Sequence, residues 1–186
     1  VPCAFKIDIG PVVAPTSRGK MLKSARREQW VDAEAVELDG HGSMGTFEYV
    51  DVSELPKHGR RINILPTMRK YTVKPEKLKA RLVVDGSRER ANEYEDLFAP
   101  VCRAVTFRLL LIYALDRGYQ VHQAYVKQAF NNTPVAPDTN IFVRCAPGYE
   151  REGMVMRLHK YAYGLRVSPL KWTQYFATWM TSIGFT

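Results

Sequence analysis

Val121-His122-Gln123-Ala124-Tyr125-Val126-Lys127-Gln128-Ala129-Phe130-Asn131-Asn132 reads as a strand that runs into a tight turn and then an aromatic side chain. The strand is expected over Tyr119 to Val126, with Gln128 and Ala129 in the turn. Just before it, Phe107, Leu110, Leu111 and Ala114 recur at i, i+3, i+4 and i+7, so a helix is expected from about Thr106 to Asp116, with Gly118 at its end. That helix reads as core, packed under the sheet that holds the strand. Beyond the turn, Met154 to Leu158 reads as a short strand. Trp172, Tyr175, Phe176, Trp179, Met180 and Ile183 then form an apolar helix face ending at Gly184. Ser168 is expected to cap this helix and Pro169 to occupy its first turn, with most of the aromatic side chains in the core.

Upstream, residues 1–20 contain Pro2, Pro11, Pro15, Gly10 and Gly19 without a period and are expected to be an irregular arm. Leu22, Trp30, Ala33 and Val36 follow a helical stripe from Lys20 to Leu38, broken by Gly40, Gly42 and Gly45. Thr46 to Val52 alternates like a half-buried strand. Ile62 to Leu65, Met68 to Val73 and Leu78 to Val84 read as further strands, with turns at Pro66 and Lys74-Pro75-Glu76.

A chain of 186 residues, 46% apolar and 11% aromatic, can bury a core and allows one or two domains. It contains no run of about 18 apolar residues, so no membrane span is expected. The opening Val1-Pro2-Cys3, with Lys6 and Asp8 close behind, does not make a signal peptide. Cys3, Cys102 and Cys145 are odd in number and far apart, which favours a reduced, intracellular setting, cytoplasmic or nuclear. No feature marks a partner that would make any of them a nucleophile.

Net charge is +8, and its placement says more than its size. Between Lys57 and Arg81 stand nine cations, Lys57, Arg60, Arg61, Arg69, Lys70, Lys74, Lys77, Lys79 and Arg81, against the single acid Glu76. The remainder of the chain is therefore neutral overall. One concentrated basic segment suits phosphate, on a polynucleotide or a triphosphate; its bland alternative is a solvated face without a partner. His122 reads as structural. His41, His58 and His159 have no Cys or His at zinc spacing, so no metal finger is expected.

Three blocks carry a resemblance: Lys79-Ala80-Arg81-Leu82-Val83-Val84-Asp85-Gly86, the segment Tyr94-Glu95-Asp96-Leu97-Phe98-Ala99-Pro100-Val101 with the helix behind it, and Tyr161-Ala162-Tyr163-Gly164-Leu165-Arg166-Val167-Ser168-Pro169-Leu170-Lys171-Trp172. Together with residues 121–132 they resemble the reverse transcriptases of copia-type (Pseudoviridae) retrotransposons, whose motif A runs His-Gln-Met-Asp-Val-Lys-Thr-Ala-Phe-Leu-Asn-Gly. Weaker echoes are Ile141 to Tyr149 and, in the lead-in, Trp30, Ala33, Glu37-Leu38, Gly45-Thr46-Phe47, Val50 and Leu55-Pro56. The likeness covers about Trp30 to Phe185. It implies an α+β fold, a partial right-hand polymerase with a fingers-like region over 21–118 and the first part of a palm over 119–186.

The resemblance also implies an activity, RNA-directed DNA polymerisation, in which two Mg²⁺ ions are bridged by a motif A carboxylate and two more from a later Tyr-x-Asp-Asp hairpin. The motif A Asp falls on Tyr125, a phenol that is neutral at working pH and a poor ligand for hard cations. No Asp-Asp pair occurs in the chain, and the hairpin is expected to lie beyond Thr186. No catalytic residue is therefore intact, Mg²⁺ binding is not expected, and the chain as it stands is expected to be inactive.

On the nucleotide side the resemblance implies Lys79, Arg81, Val126, Gln128, Ala129 and Phe130, with Phe130 at the position that excludes a ribose 2′-hydroxyl. From spacing alone Phe130 reads as a core aromatic, and Lys79 and Arg81 as charges that solubilise an edge strand. On the template side it implies Tyr163, Gly164, Arg166 and Pro169, with Val167 standing where the family has Gln. Expected partners are RNA or an RNA/DNA hybrid along 57–81, a deoxynucleoside triphosphate, no membrane, and a second copy through uncovered palm surface. Three functions compete: an inactive polymerase relic, a co-opted nucleic-acid or protein binding module, and an active polymerase completed by further sequence.

Overall fold

The computed structural model describes residues 13–56, 62–90 and 97–185. The first part of the arm, Lys57, His58, Arg60 and Arg61 of the basic segment, and Tyr94-Glu95-Asp96 of the second block lie outside the described residues. Helices α1 (Arg18–Leu22), α2 (Arg27–Ser43), α3 (Ala104–Asp116) and α4 (Ser168–Ser182) accompany strands β1 (Phe47–Asp51), β2 (Ile64–Leu65), β3 (Thr67–Lys74), β4 (Lys77–Val84), β5 (Phe142–Val143) and β6 (Met154–Leu158). Four strands form a sheet in the order β1-β6-β5-β2, and β3-β4 forms a separate hairpin. Among the described residues only β2 and β5 run parallel; the other pairs are antiparallel. The mixed helix and sheet content agrees with the expected α+β class.

The hairpin follows directly from its sequence. Lys74 pairs with Lys77 and Thr67 with Val84, which leaves Pro75-Glu76 as the turn. Side chains alternate across a strand with period two, so Ala80, Leu82 and Val84 go to the core while Lys77, Lys79 and Arg81 share the opposite face. Trp30 of α2 and Met21 of α1 cover one part of the hairpin with Tyr71 and Ala80, the Trp30 and Tyr71 rings meeting edge to face at 5.3 Å. A second core joins Leu82 and Val84 to Val143, Met156, Leu158, Leu165 and Val167, and so locks the hairpin onto the sheet.

Helix α2 departs from its expected stripe. Its buried side chains are Trp30, Glu34, Glu37 and His41, whereas Val36 is 71% exposed. The inward face is set by polar partners on the hairpin. Fully buried Glu34 accepts hydrogen bonds from Tyr71 Oη at 2.5 Å and Arg18 Nε at 3.2 Å, and lies 3.9 Å from the buried Arg69 guanidinium. Burial pushes the Tyr71 phenol well above the ordinary tyrosine range, and the Glu34 carboxylate adds to the rise. The helix also runs through Gly40 and Gly42 instead of breaking there. An interior glycine costs only about 1 kcal/mol, and the chain turns at Gly45, where φ is +59°.

Four further expectations are corrected. Residues 119–126 form no strand; they are irregular and exposed, because no described strand lies alongside to complete a ladder. Helix α3 forms where expected but is not core: none of its residues is buried, and Leu115 is 80% exposed. Its apolar residues point all round the helix, which signals a need for cover without naming the cover. The aromatic face of α4 is not core either: Trp172, Phe176 and Met180 are half-buried, Tyr175, Trp179 and Ile183 are exposed, and Ser168 is the one buried residue of the helix. Ser168 does not cap α4. It is the first helical residue, its hydroxyl donates to Ala162 O at 2.7 Å, and Pro169 sits in the first turn as expected. No helix among the described residues is long and apolar enough to cross a membrane.

Candidate nucleic-acid interface

Between α2, β4 and the turn after Tyr125 lies a cleft of about 510 Å³. Lys77, Lys79 and Arg81 enter it from β4, Arg26 from the start of α2, and Tyr125, Lys127 and Gln128 from the turn. Asp32, Glu37 and Glu76 are its carboxylates, so five cations face three acids. Burial pushes the Lys79 ammonium below its ordinary pKa, and the neighbouring Arg81 charge lowers it further. Such crowding of like charge is relieved by an anion.

Tyr163 forms the inner aromatic wall. Gly164, at φ +97°, lies so close to β4 that an added Cβ would collide with the Val84 carbonyl, and the Val84 N–H donates to Tyr163 O at 2.8 Å. This close approach sets the Tyr163 ring beside β4, where the Arg81 guanidinium lies 5.6 Å from its centroid. Phe130 packs on the same ring at 4.8 Å. Burial raises the Tyr163 phenol pKa; Arg81 opposes the rise and the phenol of Tyr125 adds to it. Tyr125 itself is 82% exposed.

The turn is held by contacts that sequence reading missed. Gln128 adopts a left-handed conformation, φ 49° and ψ 50°, and Ala129–Asn132 follow as a 3-10 turn. Asn132 Nδ2 donates to the carbonyls of Lys127 and Gln128 at 3.1 and 3.2 Å, which offsets part of the roughly 1–2 kcal/mol that a left-handed non-glycine residue costs. Buried Asn131 places Nδ2 3.1 Å from His41 Nδ1, and His41 Nε2 lies 3.7 Å from Glu37 Oε1. Gly40 leaves room for the Gln128 amide, since a Cβ there would stand 3.0 Å from Gln128 Nε2. The end of α2 is thus the support on which the turn rests. The i, i+4 spacing of Glu37 and His41 was the one hint available in sequence.

Of the residues implied by resemblance, Lys79, Arg81, Tyr125, Gln128 and Tyr163 line the cleft, and Phe130 stands directly behind it. Val126 and Ala129 belong to the turn but do not line the cleft. Gly164 acts through backbone packing. Arg166 is exposed, its N–H donating to Glu89 Oε1 at 3.1 Å, and Pro169 lies in α4; neither reaches the cleft. His122 is exposed and does not line the cleft.

The residues present do not fit a pair of divalent ions. Among the described residues no group of three or more His, Cys, Asp or Glu could hold a metal. Where the resemblance aligns the motif A Asp, Tyr125 offers a phenol, whereas hard cations take carboxylate or carbonyl oxygens.

The reverse transcriptase (RNA-dependent DNA polymerase) family model matches residues 47–186, and the chain belongs to that family. Within it the chain is of the copia type. It is 29% identical over 175 residues to the retrovirus-related Pol polyprotein from transposon TNT 1-94 of Nicotiana tabacum, a match covering 90% of this chain and 13% of that protein. Similar polyproteins from Arabidopsis thaliana are those of transposon RE1, 26% identical over 88% of this chain and 11% of the relative, and transposon RE2, 32% identical over 58% and 8%. The chain therefore spans a small part of the relatives it matches. No solved structure matches it.

Proposed function

We propose that this chain is the fingers and first part of the palm of a right-hand RNA-directed DNA polymerase that binds nucleic acid and, as it stands, transfers no nucleotide. The observation that carries this reading is Tyr125, which lines a cleft otherwise furnished with Lys79, Arg81 and Lys127 for phosphate. In that arrangement the β3-β4 hairpin is the fingers element, Arg81 a planar donor to phosphate and Lys79 a point charge. Val126, Gln128 and Ala129 would lie along an incoming nucleotide, with Phe130 against its sugar. Tyr163, Gly164, Arg166 and Pro169 would lie on the template side. An intracellular location and self-association through the open faces of α3 and α4 belong to the same proposal. A polymerase completed by further sequence is a second reading, favoured by the 13% share of the tobacco polyprotein that the chain covers. Tyr125 weighs against it.

Titration of an RNA/DNA hybrid at several salt concentrations tests the binding half. Affinity should fall steeply with salt, and Arg81→Ala should weaken binding and flatten the slope by roughly one unit, the signature of a lost phosphate contact. A flat salt dependence, or an Arg81→Ala protein indistinguishable from the parent, would reduce the basic face to a solubilising one.

A further inference from the structure

We propose that the cleft takes an unpaired nucleobase stacked on Tyr125, its phosphate held by Lys79, Arg81 and Lys127, without any divalent ion. This rests on the nucleic-acid-binding reading above and adds the ligand form and the residue that selects it. Among the cleft aromatics, one face of Tyr163 is engaged by Arg81 at 5.6 Å and the ring packs on Phe130 at 4.8 Å. Tyr125 is 82% exposed, and no ring or guanidinium packs on it among the described residues. It lines the cavity alongside Arg81 and Lys127. An open aromatic face beside a run of cations is the arrangement by which single strands are bound with little regard to sequence.

The chemistry of the substitution points the same way. A carboxylate at this position would repel a phosphate unless a cation stood between them. A phenol removes that repulsion, and the surplus of cations in the cleft can then neutralise the phosphate directly. The flat ring supplies a surface that a carboxylate lacks. A base inside a duplex is already stacked on both faces, so the site favours single strands. The cleft volume, about 510 Å³, falls in the range of small-ligand sites.

Fluorescence anisotropy with a labelled oligothymidylate, and an abasic strand of the same length, decides the matter in buffer containing EDTA. The parent chain should bind oligothymidylate equally well with EDTA or Mg²⁺. Tyr125→Ala should weaken that binding about 5- to 150-fold, Tyr125→Phe should retain it, and the abasic strand should bind the parent as weakly as oligothymidylate binds Tyr125→Ala. Circular dichroism of the variants checks the fold, which an exposed side chain should not disturb. If the parent binds oligothymidylate but Tyr125→Ala binds it equally, or binding requires Mg²⁺, the stacking site is refuted while the wider reading stands. If the parent binds no strand even at low salt, both fall together.

Discussion

Glu34→Ala should lower the stability of this chain by about 3–5 kcal/mol, the cost of stranding one partner of a buried ion pair. The Arg69 side chain is fully buried, and its Nε, Nη1 and Nη2 have no hydrogen-bond partner among the described residues. Burial already pulls the guanidinium below its ordinary pKa, and the Glu34 carboxylate is the largest influence holding its charge in place. Tyr71 would lose its acceptor as well, and Arg18 its partner. Urea unfolding followed by circular dichroism should show a lower midpoint with an unchanged slope. The paired change Glu34→Leu with Arg69→Met should recover most of the loss, because apolar residues of similar size replace a buried ion pair at little cost. A Glu34→Ala loss under about 1 kcal/mol, the range of a surface pair, would mean that the pair does not anchor α2 to the hairpin.

Gly164→Ala should be as damaging, on the order of 4 kcal/mol, which is the range reserved for strain and overpacking that cannot relax. At φ +97° a side chain is strained wherever it points, and here its Cβ would meet backbone atoms of Val84. The obstacle is a carbonyl in a paired strand, so no rotamer change can clear it. Segment 161–167 would have to leave β4, carrying Tyr163 away from Arg81. A melting curve reads the loss, and the fluorescence of Tyr163 near Arg81 is less direct than a binding assay: nucleic-acid affinity should drop with stability. Near-parental stability would show that this close approach is not needed.

How much of this was visible in sequence differs from element to element. The β3-β4 hairpin was legible in nearly full detail, because a period-two pattern and a Pro-Glu turn specify both register and face. Lys79 and Arg81 could be placed on one side for the same reason. Strands β1 and β6 and helices α3 and α4 were legible as elements. Their surroundings were not. An apolar pattern says that α3 and α4 seek cover, but the cover is a property of whatever packs there, and among the described residues nothing buries α3. Residues 119–126 have strand-like alternation without a partner to pair with. The face of α2 was hidden for a different reason: Glu34, Glu37 and His41 count as outward residues in any hydrophobic pattern, and it is Arg18, Arg69, Tyr71 and Asn131, distant in sequence, that make their burial favourable. In the cleft, the resemblance marked residues one by one. It could not say that Tyr125 and Tyr163 would share a wall while Arg166 and Pro169 stayed outside it.

A phenol rather than a carboxylate stands at position 125, and primer extension reads its consequence most directly. Purified chain, a DNA primer annealed to an RNA template, all four deoxynucleoside triphosphates and Mg²⁺ should yield no product longer than the input primer. Mg²⁺-dependent lengthening of the primer by this chain, abolished by EDTA, would contradict the account at its centre.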